Sequence, residues 1–200
     1  MPPEPLADVL ARTGLELSSE LADDIDQVLI TGEEIDAKLA HLAERLDADF
    51  AGQDVLLVGI LKGAFVLIAD LARHLSIPVS IDFMAVSSYG SSTRTSGVVR
   101  ILKDLDDDIE GRNVVLVEDI IDSGLTLNYL LRNLRSRRPA RLEVLALLTK
   151  PSQRRIDIPI TYHGFEVPDV FVVGYGLDYS QRYRNLPFIA TLRPGLPTPA

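Results

Sequence analysis

Aliphatic runs and helical spacings alternate along most of this chain. Asp54–Ile60, DVLLVGI, is apolar almost throughout, as suits a strand buried on both faces of a sheet. It passes through Leu61-Lys62-Gly63 into AFVLIADLARHL, where apolar residues return at helical intervals. Val114–Val117 is a second such run, closed by Glu118, Asp119 and Asp122; after Ser123-Gly124, Leu127, Leu130, Leu131 and Leu134 mark a new helix. Arg141–Thr149 predicts a third strand, ending at Lys150-Pro151. Strand and helix alternate from residue 54 to 149, which predicts an α/β protein with a twisted, mainly parallel sheet flanked by helices on both faces.

The flanking regions are less regular. Gln27–Ile30 suits a short strand, and Thr31-Gly32-Glu33-Glu34 has capping-box spacing ahead of Ile35, Leu39, Leu42 and Leu46, a helix that Gly52 ends. Pro78–Val86 alternates at Ile81, Phe83 and Ala85, predicting a half-exposed strand, and Val98–Leu102 resumes strand character. The two read as a long β-hairpin. Its tip, SSYGSSTRTSG at residues 87–97, is longer than a hairpin needs. We expect a flexible lid whose hydroxyls, with Tyr89 and Arg94, close over a charged ligand; a plain solvated loop is the alternative. Pro159–Tyr162 is expected as a short strand, HGFEVPD as a turn, and Val170–Tyr175 as the last strand. Residues 1–25, with three early prolines, read as a weakly ordered extension, 26–192 as the domain, and 193–200 as an irregular tail in a proline-rich stretch that begins after Leu186.

The chemistry concentrates in VVLVEDIIDSGLTL, residues 114–127. A strand running through a small-residue turn into a helix aims several backbone N–H groups at one point, which favours a phosphate. Thr126 adds a hydroxyl in the first turn. Carboxylates repel phosphate, so Glu118, Asp119 and Asp122 make sense facing hydroxyls, a divalent metal or a proton in transit. One acid would suffice to complement the helix dipole; three within five residues favour function. Lys62-Gly63, at the equivalent turn after the earlier strand, suits a backbone approaching a diphosphate beside an ammonium. In open α/β sheets ligands lie beyond the strand C-termini, where both turns fall.

Composition narrows the function. No apolar run reaches membrane-spanning length, and there is no cysteine, which removes disulfides and thiolate chemistry together. MPPEPLADVL lacks the basic start and apolar stretch of a signal peptide, so a cytoplasmic location is expected. A net charge of −9 argues against nucleic-acid binding. Arg132, Arg135, Arg137, Arg138 and Arg141 cluster locally, but basic residues at a helix C-terminus complement its dipole, and Pro139 marks the stop. The acidic DLDDDIEGR, residues 104–112, reads as a solvated turn, and His41 as an ordinary surface histidine.

VVLVEDIIDSGLTL closely resembles the ribose-phosphate signature of the type I phosphoribosyltransferases. LKGAF, SSYGSSTRTSG, Lys150 after LALLT, and PDVFVVGYGLDYSQRYRNLPFI narrow the resemblance to the hypoxanthine-guanine phosphoribosyltransferases, in order from about residue 27 to 192. The resemblance implies the type I fold, with a hairpin lid and a small hood formed by the terminal segments. It implies an enzyme of purine salvage that transfers the phosphoribosyl group of phosphoribosyl pyrophosphate (PRPP) to a 6-oxopurine, hypoxanthine or guanine. The product is a purine nucleoside monophosphate, formed with Mg²⁺ through an oxocarbenium-like transition state, and a homo-oligomer, dimer or tetramer, is expected.

Carried onto this chain, Ser123, Gly124, Leu125 and Thr126 hold the 5′-phosphate, Leu125 by its backbone where some members have lysine. Glu118 and Asp119 take the ribose hydroxyls directly or through the metal. Lys62 and Gly63 face pyrophosphate, across a Leu61–Lys62 peptide typically cis in the family. Asp122 acts as general base toward the purine N7, Lys150 reads O6, Phe171 stacks on the ring and the Val172 backbone reads its edge. Asp178 ligates a second Mg²⁺, Arg184 pairs with the leaving group, and Ser88 and Tyr89 descend with the lid. Taken without the resemblance, Lys150 reads as a strand-end lysine, Phe171 as core and Asp178 as a turn cap. A receiver domain is excluded, because the strand after the acidic motif ends at Thr149-Lys150 without an aspartate. A non-catalytic nucleotide-binding regulator on the same fold and a xanthine-preferring enzyme are the remaining alternatives.

Overall fold

The N-terminal segment is folded, where its prolines and scattered acids suggested weak order. In the computed structural model, which describes residues 3–88 and 99–196, helices Leu6–Thr13 (α1) and Ser19–Asp24 (α2) precede a strand at Ile25–Ile30 (β1). Pro5 sits just outside α1, where an extended proline costs no hydrogen bond. Glu4 exchanges two backbone hydrogen bonds with Val28. Burial explains the order: Val9 lies in an apolar cluster with Ile25, Val28, Tyr183, Leu186 and Phe188, against which Leu6, Leu15, Leu17 and Leu21 pack. The next helix, Gly32–Asp49 (α3), opens on the expected capping box. The Glu34 N–H donates to Thr31 Oγ1 at 3.2 Å, and the Thr31 N–H donates back to Glu34 Oε2 at 2.8 Å.

The alternating region forms Val55–Leu61 (β2), Phe65–His74 (α4), Val79–Ser88 (β3), Val99–Lys103 (β4), Asn113–Ile121 (β5), Leu125–Ser136 (α5), Arg141–Thr149 (β6) and Tyr162–Glu166 (β7). The sheet order is β4-β3-β2-β5-β6-β7, parallel except for the β3–β4 hairpin. The chain leaves β2 toward β3 on one side and later places β5 on the other, so the order reverses at β2. Such a switch point opens a crevice beyond the strand C-termini. Leu127, Leu130, Leu131 and Leu134 of α5 are buried with Leu56, Val58, Val114 and Leu116, alternate residues of β2 and β5. Each buried leucine contributes roughly 2 kcal/mol, which fixes α5 and the turn that precedes it. In β3 Met84 is fully buried, while Ile81 is exposed. Of the expected lid tip, Ser87 and Ser88 close β3 against Arg100 and Val99, while residues 89–97, Tyr89 and Arg94 among them, lie outside the described residues.

Three of the five clustered arginines pair with acids of the fold, while Arg132 and Arg135 are exposed. Arg137 pairs with Asp104 at 2.8 Å, Arg138 with Glu110 at 2.9 Å and Arg141 with Glu143 at 2.8 Å. The acidic turn at 104–112 is therefore partly the counter-charge for these arginines rather than a purely solvated loop. β7 falls at 162–166, later than expected, so that residues read as a turn are the strand. Gly164 permits this: a Cβ there would lie 2.2 Å from the Leu147 carbonyl oxygen of β6.

The two ends of the chain fold together, residues 1–38 with 170–200, as a compact unit distinct from residues 39–169. Its sheet has the order β1-β9-β8, built from β1, Val172–Val173 (β8) and Ile189–Leu192 (β9). The expected strand at 170–175 is only two residues long, because Gly174 turns the chain at φ +95° with a Cβ site 2.0 Å from the Phe188 carbonyl oxygen. The stretch after Leu186, expected to be irregular, carries β9; of its four prolines, the two among the described residues, Pro187 and Pro194, flank the strand rather than interrupt it.

Candidate active site

Three parallel strands of the 39–169 unit deliver the charged residues to one edge of the sheet. The register pairs Gly59 of β2 with Val117 of β5, and Ile121 of β5 with Thr149 of β6. The residues just beyond each pairing are the ones singled out from the sequence: Lys62-Gly63, Glu118–Asp122 and Lys150.

At the end of β2 the Leu61–Lys62 peptide is cis, as the resemblance implied. Gly63 follows, so close to β5 that a Cβ on it would stand 1.5 Å from Asp119 Oδ2. Asp119 also accepts a hydrogen bond from the Ile120 N–H through Oδ1, at 2.8 Å. Glu118 is buried. Burial first, and the neighbouring Asp119 charge second, push its carboxyl well above the usual glutamate range. A cation or hydroxyl donors beside the pair would favour the ionised form.

Beyond β5 the chain turns through Asp122-Ser123 to Gly124, which caps α5 in the left-handed region at φ +79°. Its Cβ site is 3.1 Å from Ile158 Cδ1 and 3.4 Å from the Ile156 carbonyl oxygen. The Ser123 carbonyl accepts from the Arg155 N–H at 3.0 Å, and Ser123 Oγ from the Leu125 N–H at 3.4 Å. The turn is thus backed by residues 155–158, which sequence reasoning did not single out. The first N–H groups of a helix lack intrahelical partners, and here Leu125 and Thr126 occupy that first turn.

Lys150 closes the edge. Its N–H donates to the Ile121 carbonyl at 3.0 Å, and its Nζ stands 3.4 Å from Asp122 Oδ1. The lysine is buried while Asp122 is exposed. Next to it, buried Thr149 shares a 2.9 Å hydrogen bond with His163 Nε2, a pairing the sequence offered no pattern for.

The remaining candidates, Ser88 apart, belong to the unit of the chain ends. Asp178 Oδ1 pairs with Arg184 Nη2 at 2.6 Å, and Asp178 Oδ2 accepts from the Gln181 N–H at 2.7 Å. Arg184 Nη1 donates to the Gly176 carbonyl at 2.6 Å. Phe171 is 57% exposed, too open for the core role its strand position allows, and meets the Tyr179 ring edge-on at 5.5 Å. Val172 is buried. Ser88 ends β3 opposite Val99.

Among the described residues no group of three His, Asp or Glu could hold a metal ion by itself. Glu118 and Asp119 offer only oxygen donors, and so, within the unit of the chain ends, does Asp178; oxygen is the donor type that hard divalent cations take.

A mainly parallel sheet with an acidic strand end, an amide-rich turn and a lysine at its switch point defines an α/β binder of phosphorylated sugars or nucleotides. A model of the phosphoribosyl transferase domain matches residues 25–180, and the chain belongs to that family. It is 55% identical over 177 residues to the hypoxanthine-guanine phosphoribosyltransferase of Mycobacterium tuberculosis, with 86% of this chain and 88% of the relative covered. It is 51% identical over 173 residues to that of Bacillus subtilis, covering 86% and 96%. The crystal structure of a hypoxanthine phosphoribosyltransferase from Staphylococcus aureus is similar with a TM-score of 0.86 at 44% identity, over 90% of this chain and 97% of that one. Among the described residues no helix is long and apolar enough to cross a membrane.

Proposed function

We propose that this chain is a purine salvage enzyme that moves the 5-phosphoribosyl group of PRPP onto hypoxanthine, and onto guanine, releasing pyrophosphate. The Lys150–Asp122 pair beside the Ser123-Gly124 turn carries the reading. It sets a cation and a carboxylate, the two groups needed to read and deprotonate a 6-oxopurine, next to a turn suited to the sugar's 5′-phosphate.

Ser123, Gly124, Leu125 and Thr126 take the 5′-phosphate through N–H groups and hydroxyls. Glu118 and Asp119 hold the ribose hydroxyls, and with Asp178 they offer oxygen ligands to Mg²⁺, whose charge offsets that of the pyrophosphate. Lys62, Gly63 and Arg184 receive the pyrophosphate. Phe171 stacks on the purine, the Val172 backbone meets its edge, and Ser88 and Tyr89 belong to the segment that covers the bound donor. As the purine N9 attacks C1′ and the bond to pyrophosphate breaks, Asp122 accepts the proton from N7 and the Lys150 ammonium stabilises the charge gathering on O6. The sugar carbon is cationic in passage and open to water, which gives a covering segment its purpose. The enzyme works in the cytoplasm as a homo-oligomer.

The test is product formation with PRPP and Mg²⁺ against hypoxanthine, guanine, xanthine and adenine in turn. Inosine monophosphate and pyrophosphate appearing one to one with hypoxanthine is the expected result. PRPP binding without product from any base would instead indicate a regulator, and product from xanthine alone would move the specificity.

A further inference from the structure

We infer that the N-terminal segment is a brace that sets the geometry of the Asp178–Arg184 loop, with Asp24 and Tyr183 as positioning residues for PRPP and its metal. The inference rests on the proposed role of Asp178 and Arg184. Among the described residues five non-glycines have positive φ, and four of them, Tyr175, Ser180, Gln181 and Tyr183, fall within this loop or at its entry. Tyr179 and Arg182 exchange two backbone hydrogen bonds around Ser180-Gln181, whose φ values are +52° and +66°. Two left-handed residues in a two-residue hairpin are the mark of a type I′ turn, which favours Asn-Gly and not Ser-Gln. Backbone in this region persists only where its surroundings hold it, and it gathers at functional sites.

The holding contacts come from α2. Arg182 pairs with Glu20. Tyr183 is buried and donates its hydroxyl to Asp24 Oδ2 at 2.6 Å. Burial, then the hydrogen bond to Asp24, pushes the tyrosine pKa up to about 12, so the donor keeps its proton at neutral pH. The Asp24 carbonyl is itself tied to the Arg193 N–H at 2.9 Å. Between these anchors the loop aligns its working groups: the Gln181 N–H orients Asp178, and Arg184 bridges Asp178 and the Gly176 carbonyl.

The experiment compares Tyr183→Phe, Asp24→Asn, Asp178→Asn and the double variant Tyr183→Phe/Asp178→Asn in the full chain. It reads KM for PRPP, KM for hypoxanthine, kcat per active site and Tm. A brace predicts that Tyr183→Phe and Asp24→Asn each raise KM for PRPP about fivefold, with KM for hypoxanthine held within about twofold. It also predicts that the double variant is no worse for PRPP than Asp178→Asn, because the two act through one loop. A fall in Tm with an unchanged KM for PRPP in the Tyr183 and Asp24 variants would show a purely structural contact and overturn the brace, while a raised KM in Asp178→Asn would leave the loop's role intact. If Asp178→Asn itself leaves KM for PRPP unchanged, the role of the loop fails, and the brace with it.

Discussion

Gly63 lies so close to Asp119 that a methyl group on its Cα would stand 1.5 Å from the carboxylate oxygen Oδ2. Two strand ends separated by more than fifty residues in sequence thus meet at the switch point of the sheet with no room for a side chain between them. The contact fixes both the turn after β2 and the direction of an acid that we assign to the ribose.

Gly63→Ala follows directly. The added methyl must displace the Asp119 carboxylate or the turn, since close-packed interiors do not absorb such an overlap. We expect kcat/KM for PRPP to fall by at least ~10-fold, about 1.4 kcal/mol of transition-state stabilisation, with circular dichroism unchanged. Steady-state kinetics with PRPP varied checks it, and an unaltered kcat/KM would separate Gly63 from the site.

Lys150→Gln removes the cation that faces Asp122. Loss of one donor to a developing oxyanion typically costs about 100-fold in rate, and that is the fall expected in kcat/KM for hypoxanthine. KM for PRPP should stay within about twofold. Equal use of hypoxanthine by the variant and the parent would contradict the assignment.

Acid titration probes the base of the hairpin. Burial alone would raise the Asp82 pKa, but the Asp106 and Phe83 N–H groups and the Lys103 ammonium outweigh it and hold the carboxyl below the usual aspartate range. A lowered folded-state pKa stabilises the native state above the unfolded value, about 3.9, and that stabilisation is lost as pH falls through the folded value. Asp82→Asn should therefore lower Tm by a few degrees at neutral pH, and the gap should close as the pH drops below the aspartate range. Thermal melts across that range test it; a gap that does not change with pH would show that ionisation of Asp82 contributes nothing.

How much of this was legible depended on whether a residue's role follows from its neighbours in sequence. β2, β5 and β6 were readable because their aliphatic runs are long, and α3 because its capping box is local. The acids of β5 and the turn at Gly124 were readable as a candidate site for the same reason. Other features depend on partners far along the chain. α1 and α2 are ordered by a cluster that includes Tyr183 and Phe188, and β9 exists because β1 and β8 flank it. The arginines after α5 looked like dipole complements, yet three of them have acids of their own in Asp104, Glu110 and Glu143. Phe171 and Asp178 gained roles only through the family resemblance, since neither has a local pattern to distinguish it.

The most direct test of the account is the kinetics of Asp122→Asn with PRPP and hypoxanthine. The side chain sits on the exposed side of the Lys150 pair, so the substitution keeps the fold and removes the carboxylate that we propose as proton acceptor. The account predicts that kcat falls by about 100-fold or more while the dissociation constant for PRPP stays within about threefold. A kcat equal to that of the parent would contradict it.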